Sequence, residues 1–353
     1  MSIFKKKQTS MESEILEQSG ILEQLLNIYI SEKEEVLIDV PEGIEHVVFV
    51  ASGSSYHCAR YGADIFGSIA SLEARAIYSS EFLLKAVIPH SEDTLYIFIT
   101  QSGETSDTNK ALIKAKQSGV RTLCVTNKED STIWQAADYK MSCHAGVERS
   151  IAATKSLTSQ MMCITLLALR FAQLRNIDTS NYINDILSIP RFIDKTYGLQ
   201  KKIKQLGRFI SKYKNVVICA DGISYALAKE AALKIKETSY LNVTSSILGE
   251  FMHGHVAVLN NNRSVLIYIL VDDLSYTATK NLNKIKADYK PPICILGNKN
   301  VKINSTFNIN IDCESPIVKY FCVAVMIQLL ALEIALKLHR NVDKPHGLDK
   351  VVK

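Results

Sequence analysis

The chain has no CxxC pair, no phosphate-binding GxxxxGK[ST] loop, no long unbroken apolar run and no basic stripe. Each gap removes a class of protein. Its eight cysteines, Cys58, Cys124, Cys143, Cys163, Cys219, Cys294, Cys313 and Cys322, lie far apart, several inside apolar patterns such as "RTLCVT" and "VVICA". That spacing excludes a disulfide framework and predicts reduced, buried thiols in a cytoplasmic protein. No apolar signal core opens the sequence. The longest apolar stretch, "VAVMIQLLALEIAL", is broken by Gln328 and Glu333, which predicts a core helix and no membrane span. A net charge of +5 is mild for 353 residues, and neither "FKKK" nor the Lys201, Lys202 and Lys204 cluster has an aromatic stacking motif beside it. These lysines read as solvated helix faces, so no nucleic-acid partner is expected. Without the P-loop lysine, a nucleoside triphosphate is not the expected ligand either.

What is present is a regular alternation. Apolar content of 47% with 22% charged residues describes a folded globular chain, long enough for one large core or two domains. The runs "HVVFVAS", "TLYIFIT", "RTLCVTN", "KNVVICAD", "SVLIYILV" and "PPICILG" alternate with helical patterns, two of which start at about Tyr56 and Thr108. Strands separated by helices predict α/β architecture, with doubly wound parallel sheets covered on both faces. The segment "VVFVASGSSYHCA" at 47–59 returns as "VVICADGISYALA" at 216–228, an offset of 169 that also lays Glu81 and Phe82 on Glu250 and Phe251. At an offset of 170, "LYIFIT" falls on "VLIYIL" and Cys124 on Cys294. Two tandem three-layer domains of flavodoxin-like type are therefore expected, at 35–180 and 198–340. A helical segment at 1–34, a helical linker at 181–197 interrupted near Pro190, and a tail at 341–353 complete the chain.

The stretch "TQSGETSDT" sits where a strand ends and a helix starts, the place where open α/β sheets bind ligands. Thr100, Ser102 and Thr105 offer hydroxyls, and Gly103 lets the backbone approach a ligand closely. The helix that follows presents free N–H groups to an anion. The loop "ASGSSYH" repeats the recipe with Gly53, Ser54 and Ser55. Two serine-rich, lysine-free loops suit a sugar phosphate. Ser106 and Asp107 read equally well as plain helix caps. Glu104 should point away from an anion. In the second repeat "DDLS" stands where the first has "SGET", which suggests work done once per chain, although drift of a surface loop explains it too.

In "EAALKIKETSY", Glu230, Lys234 and Glu237 share one helix face at i, i+4 and i+7. They form either a salt-bridged surface row or the lining of a site, and composition alone favours the surface row. His253 lies on a glycine-flanked loop, where a lone histidine is usually solvated. "HGH" has no companion carboxylate or cysteine cluster, so no metal is expected.

Taken together and in order, "SGSS", "TQSGETSDT", "VERSIAATKS", "EAALKIKETSY", "GEFMHGH" and "VDKPHGLDK" resemble the sugar isomerase (SIS) family. The likeness runs from about Glu14 to Lys350 and is to the isomerase half of glutamine–fructose-6-phosphate aminotransferases. It implies a proton-shuttling glutamate at Glu237, a ring-opening histidine at His253 and an imine-forming lysine at Lys350. Substrate contacts are implied at Ser54, Ser55, Thr100, Gln101, Ser102 and Thr105, with Lys234 counted among them. No cofactor is implied. The family also implies a homodimer in which the His253 loop reaches into the neighbour's site. The implied activity is aldose–ketose isomerisation of a hexose or amino-sugar phosphate with release or transfer of the amine, of the glucosamine 6-phosphate/fructose 6-phosphate type. A fructosamine 6-phosphate deglycase is the alternative, and a non-catalytic sugar-phosphate sensor the second. Three departures stand out: Thr100 replaces a serine, His255 a proline, and "IAATK" the family's "VASTK". Met1 leads into a short polar tail with no glutaminase domain, so activity independent of glutamine is expected.

Overall fold

A parallel sheet buries both faces of its strands, so its strands are continuous apolar runs, and every such run noted above becomes one. The structure is a computed structural model that describes residues 8–351 apart from His90, Asn261 and Asn300. The "FKKK" segment therefore lies outside the described residues. In chain order the elements begin with α1 Ser10–Leu16, α2 Gln18–Tyr29, β1 His46–Ala51, α3 Gly53–Ala70, β2 Glu73–Tyr78, α4 Ser79–Leu84, β3 Thr94–Thr100, α5 Ser106–Gln117, β4 Arg121–Thr126, α6 Thr132–Ala136 and β5 Tyr139–Ser142. They continue with α7 Lys155–Leu174, α8 Ser180–Tyr197, α9 Gln200–Ile210, β6 Asn215–Ala220, α10 Ser224–Ser239, β7 Asn242–Ile247 and α11 Leu248–Phe251. The last are β8 Ser264–Leu270, α12 Tyr276–Asp288, β9 Ile293–Gly297, β10 Phe307–Asn310 and α13 Pro316–Lys337.

Among the described residues the strands form two five-stranded sheets, ordered β2-β1-β3-β4-β5 and β7-β6-β8-β9-β10. Every pairing in both is parallel. From β1 the chain steps outward to β2 and then crosses to β3 on the other side, so strand order reverses between β1 and β3. The same reversal falls between β6 and β8, and the expected doubly wound repeat is present. Phe82 and Phe251, 1% and 2% exposed, belong to the equivalent short helices α4 and α11 and enter their respective cores. The registers correct one correspondence. Ile97 pairs with Leu123 on β4, and its repeat counterpart Ile267 pairs with Cys294 on β9. Cys294 therefore matches Leu123 and not Cys124. Because side chains alternate along a strand, this one-residue slip puts the two cysteines on opposite faces.

Contacts group the described chain into two units. One holds the second sheet and comprises Phe192–Lys350, Val147–Lys155 and the chain up to Ser19; the other holds the first sheet and comprises Gly20–Gly146 and Ser156–Arg191. Pro190 does not interrupt its helix as expected, since α8 runs unbroken through it. A proline inside a helix costs about 3 kcal/mol. Ile183, Ile186, Ile189 and Ile193, each at most 1% exposed, form an apolar stripe along α8. At roughly 1.5–3 kcal/mol for each buried side chain, the stripe outweighs the proline. α13 and α7 are long and apolar enough to cross a membrane, yet their most apolar windows are 100% and 83% buried within the protein. The eight cysteines are free thiols, all buried except the half-buried Cys313. Burial pushes the Cys124 thiol up to about 12, so it is unreactive near neutral pH.

Candidate functional site

In the unit with the first sheet, the segments 52–55 and 100–105 lie at the C-terminal ends of β1 and β3, which are adjacent parallel strands at the point of order reversal. That is the crevice in which open α/β sheets take ligands. α3 and α5 begin after N-caps Ser52 and Thr105, and neither side chain bonds the N–H groups of its first turn. Thr105 Oγ1 instead meets Thr100 Oγ1 at 2.9 Å, joining two of the predicted residues. Ser102 Oγ accepts the N–H of Glu104 at 3.1 Å, and the carbonyl of Gln101 accepts that of Asn127 at 3.2 Å. Neither Ser106 nor Asp107 is the cap of α5. Ser54 and Ser55, both half-buried, fall in the first turn of α3, which begins three residues earlier than expected. Gly103 has φ +67°, and a Cβ there would stand 2.0 Å from Ser131 Oγ, so only glycine closes this turn.

Glu104 turns out of the loop as expected. Its carboxylate accepts the N–H and hydroxyl of Thr132 at 2.9 and 2.8 Å, capping α6, and those bonds hold its carboxyl below the usual range. The second repeat differs at the matching position. There Ser275 caps α12 with its own side chain, accepting the N–H of Ala278 at 3.1 Å.

The unit with the second sheet carries the charges. The surface-row reading of α10 is overturned, because the Glu230 and Lys234 side chains are only 2% and 1% exposed. Lys234 Nζ lies 3.5 Å from Glu230 Oε1 and donates a close hydrogen bond to Glu237. Burial by itself would lower the Lys234 pKa. The Glu237 and Glu230 carboxylates, with Glu148 further off, outweigh burial and hold the ammonium well above its ordinary range. Glu237, 15% exposed, is the outermost carboxylate on this helix face.

Lys350 does not stand free on its tail. Its ammonium pairs with Glu148 and donates to the Ser150 carbonyl at 2.8 Å. The Glu148 side chain is 0% exposed, and its carboxylate also accepts the N–H and hydroxyl of Thr154 at 2.8 and 3.1 Å. Sequence reasoning missed Glu148 although it lies in "VERSIAATKS". A lone carboxylate in a hydroxyl-rich loop was the only signal, and its burial depends on partners far along the chain. Within its own unit, His253 bonds none of the other predicted residues. It follows α11 on the surface, held by its backbone N–H to the Glu250 carbonyl at 3.0 Å, and its imidazole bonds no described residue.

The comparisons with known proteins agree with this architecture. Glutamine–fructose-6-phosphate aminotransferase [isomerizing] of Campylobacter jejuni is 31% identical over 347 residues, covering 97% of this chain and 58% of the relative. The chain thus spans somewhat over half the length of that relative. The C-terminal domain of glucosamine-fructose-6-phosphate aminotransferase from Francisella tularensis superposes with a TM-score of 0.90 at 24% identity, covering 96% of this chain and 99% of that one. Glucosamine-6-phosphate deaminase from Thermotoga maritima gives 0.78 at 20% identity, covering 98% and 99%. At those identities the two structures establish the fold alone. The SIS domain profile matches residues 43–170 and 209–338, one match on each sheet, and with most of its length covered the chain belongs to the SIS domain family.

Proposed function

We propose that this chain is a phosphosugar isomerase acting on a hexose or amino-sugar phosphate, and that it releases the amine when the sugar carries one. The observation that carries this reading is the α10 bracket, a carboxylate at the edge of a helix backed by a fully buried ammonium. Isomerisation moves one proton between neighbouring carbons, which a fixed carboxylate does in both directions. Glu237 takes the C2 proton of the ring-opened aldose and returns it to C1. With a hydroxyl at C2 the product is the ketose. With an amine at C2 it is the ketimine, which water hydrolyses to the ketose and ammonia. No electrons are gained or lost overall.

In this reading Lys234 holds Glu237 in place and does not contact the sugar. Ser54, Ser55, Thr100, Gln101, Ser102 and Thr105, with the uncapped N–H groups of α3 and α5, hold the phosphate and neighbouring hydroxyls. Lys350, once its proton passes to Glu148, adds to the ketose carbonyl and forms an imine with loss of water. His253 opens the sugar ring from a second copy of the chain, which accounts for an exposed imidazole with no partner among the described residues.

The test is proton exchange. Glucosamine 6-phosphate and fructose 6-phosphate are incubated in D2O and followed by NMR, with ammonia assayed in parallel. Deuterium should enter at C1 or C2, and Glu237→Gln should slow this by about 10²–10⁴-fold, the worth of a positioned acid–base group. Exchange at the wild-type rate in Glu237→Gln would remove the assignment. Cleavage of an amino-acid–fructose 6-phosphate, with glucosamine 6-phosphate untouched, would make the protein a deglycase.

A further inference from the structure

The N-terminal "EILEQ" directs three side chains toward the segment 148–155, two of them directly and Gln18 through Gln328. Glu14, 4% exposed, accepts the N–H of Arg149, the Ser150 hydroxyl, and the Ser150 N–H at 3.3 Å. Glu17 pairs with Lys155 at 2.6 Å. Gln18 donates to Gln328 at 2.8 Å, and Gln328 in turn donates to the Thr154 carbonyl at 3.2 Å. The C-terminal tail ties the same parts from the other side. The Asp343 carboxylate takes the N–H groups of Ser10 and Met11, each at 2.9 Å, and its carbonyl takes that of Ile151 at 3.1 Å. No described cation pairs with Glu14. A buried carboxylate without a counter-ion persists only where donors satisfy it, and here all the donors come from residues 149 and 150. Those residues flank the two groups that receive the Lys350 ammonium, the Glu148 carboxylate and the Ser150 carbonyl.

We propose that Glu14 is a positioning residue for Lys350. Its carboxylate fixes the backbone at Arg149 and Ser150, and through it the acceptors that determine where the Lys350 amine rests. The functional half of this inference rests on the proposed imine chemistry, while the positioning itself does not.

Two readouts on the full chain separate them. The first uses no sugar: lysines are labelled with acetic anhydride and the rate at Lys350 is read by peptide mass spectrometry, with Lys344 of the same tail as internal reference. Glu14→Gln keeps the shape but turns an amide NH2 toward the loop's donors. Labelling at Lys350 should then rise about tenfold, as expected for loss of one charge-assisted hydrogen bond, with Lys344 unchanged. Thr9→Ala removes the N-cap bond of α1 without touching the loop. It should lower the melting temperature and leave Lys350 labelling unchanged. If Glu14→Gln does not fold, Ser150→Ala removes one of the same donors and should raise labelling by a smaller factor. The second readout is borohydride trapping with fructose 6-phosphate. In Glu14→Gln the maximal rate at Lys350 should fall, with half-saturation unchanged. Lys350 labelling that is alike in wild type and in the folded loop variants, or equally raised by Thr9→Ala, overturns the positioning role. If Glu14→Gln alters labelling but no form, wild type included, is trapped, the imine chemistry fails and the positioning stands.

Discussion

A lysine whose side chain is 1% exposed is costly to keep charged, and Lys234 keeps its charge because carboxylates face it from within its own helix and from Glu148. Lys234→Met should therefore do more than remove a contact. It leaves Glu230 and Glu237 without their shared cation, and breaking a buried ion pair on one side costs about 3–5 kcal/mol. The urea midpoint should fall accordingly. The sign of the pH dependence follows from the raised pKa. The stability lent by Lys234 is fully present below the ordinary value of 10.5 and is lost only as the pH climbs through the higher folded value. The gap between wild type and Lys234→Met should thus stay flat from about pH 6.5 to pH 9. A gap that closes within that window would show that Lys234 is already neutral there.

At the scale of elements, α3 and its counterpart α10 both start without a side-chain cap bond, whereas α5 starts without one and its counterpart α12 is closed by Ser275. That contrast supports the proposed anion site at α5, beside α3. Ser102→Ala combined with Thr105→Ala should raise KM for a sugar phosphate, each lost charge-assisted bond costing about 1.5–3 kcal/mol. Binding of the unphosphorylated sugar should barely change, and an unchanged KM for the phosphate would remove the loop from the site. Gly103→Ala tests the turn that shapes the loop. A positive φ of +67° and a Cβ 2.0 Å from Ser131 Oγ force either the backbone or Ser131 to move. The strain alone is on the order of 1–3 kcal/mol, and the melting temperature and phosphate affinity should fall together.

For the whole molecule, His253 is exposed and Glu237 half-buried, and the proposed pairing of the two would be met by a second copy of the chain. A closed twofold dimer would have two equivalent sites, each taking Glu237 from one chain and His253 from the other. His253→Ala and Glu237→Ala chains, each expected to be inactive alone, are unfolded together and refolded. Random pairing makes about half the dimers mixed, with one intact site in two, so activity should recover to ~25% of wild type. A dead mixture in which mixed dimers are shown to form would place His253 in its own chain's site.

Much of this was legible along the chain. Continuous apolar runs such as "LYIFIT" specify strands buried on both faces, and their return near 170 residues later specifies the tandem repeat, since both are local patterns of side-chain type. The hydroxyl-rich loops were legible for the same reason, because a strand end, a glycine and a helix start are neighbours in sequence. Tertiary structure decided what depends on distant atoms. Periodicity put Glu230, Lys234 and Glu237 on one face of α10, but only packing made that face a buried one. Pro190 signals a break in any local reading, and the buried isoleucines of α8 overrule it. The one-residue slip between Cys124 and Cys294 is invisible until hydrogen bonds set the register of β9. Lys350 finds Glu148, more than two hundred residues before it, and Glu14 finds Ser150 only because folding brings these segments together. A charge is cheap in the interior only beside its partners, and adjacency along the chain says nothing about which partners folding supplies.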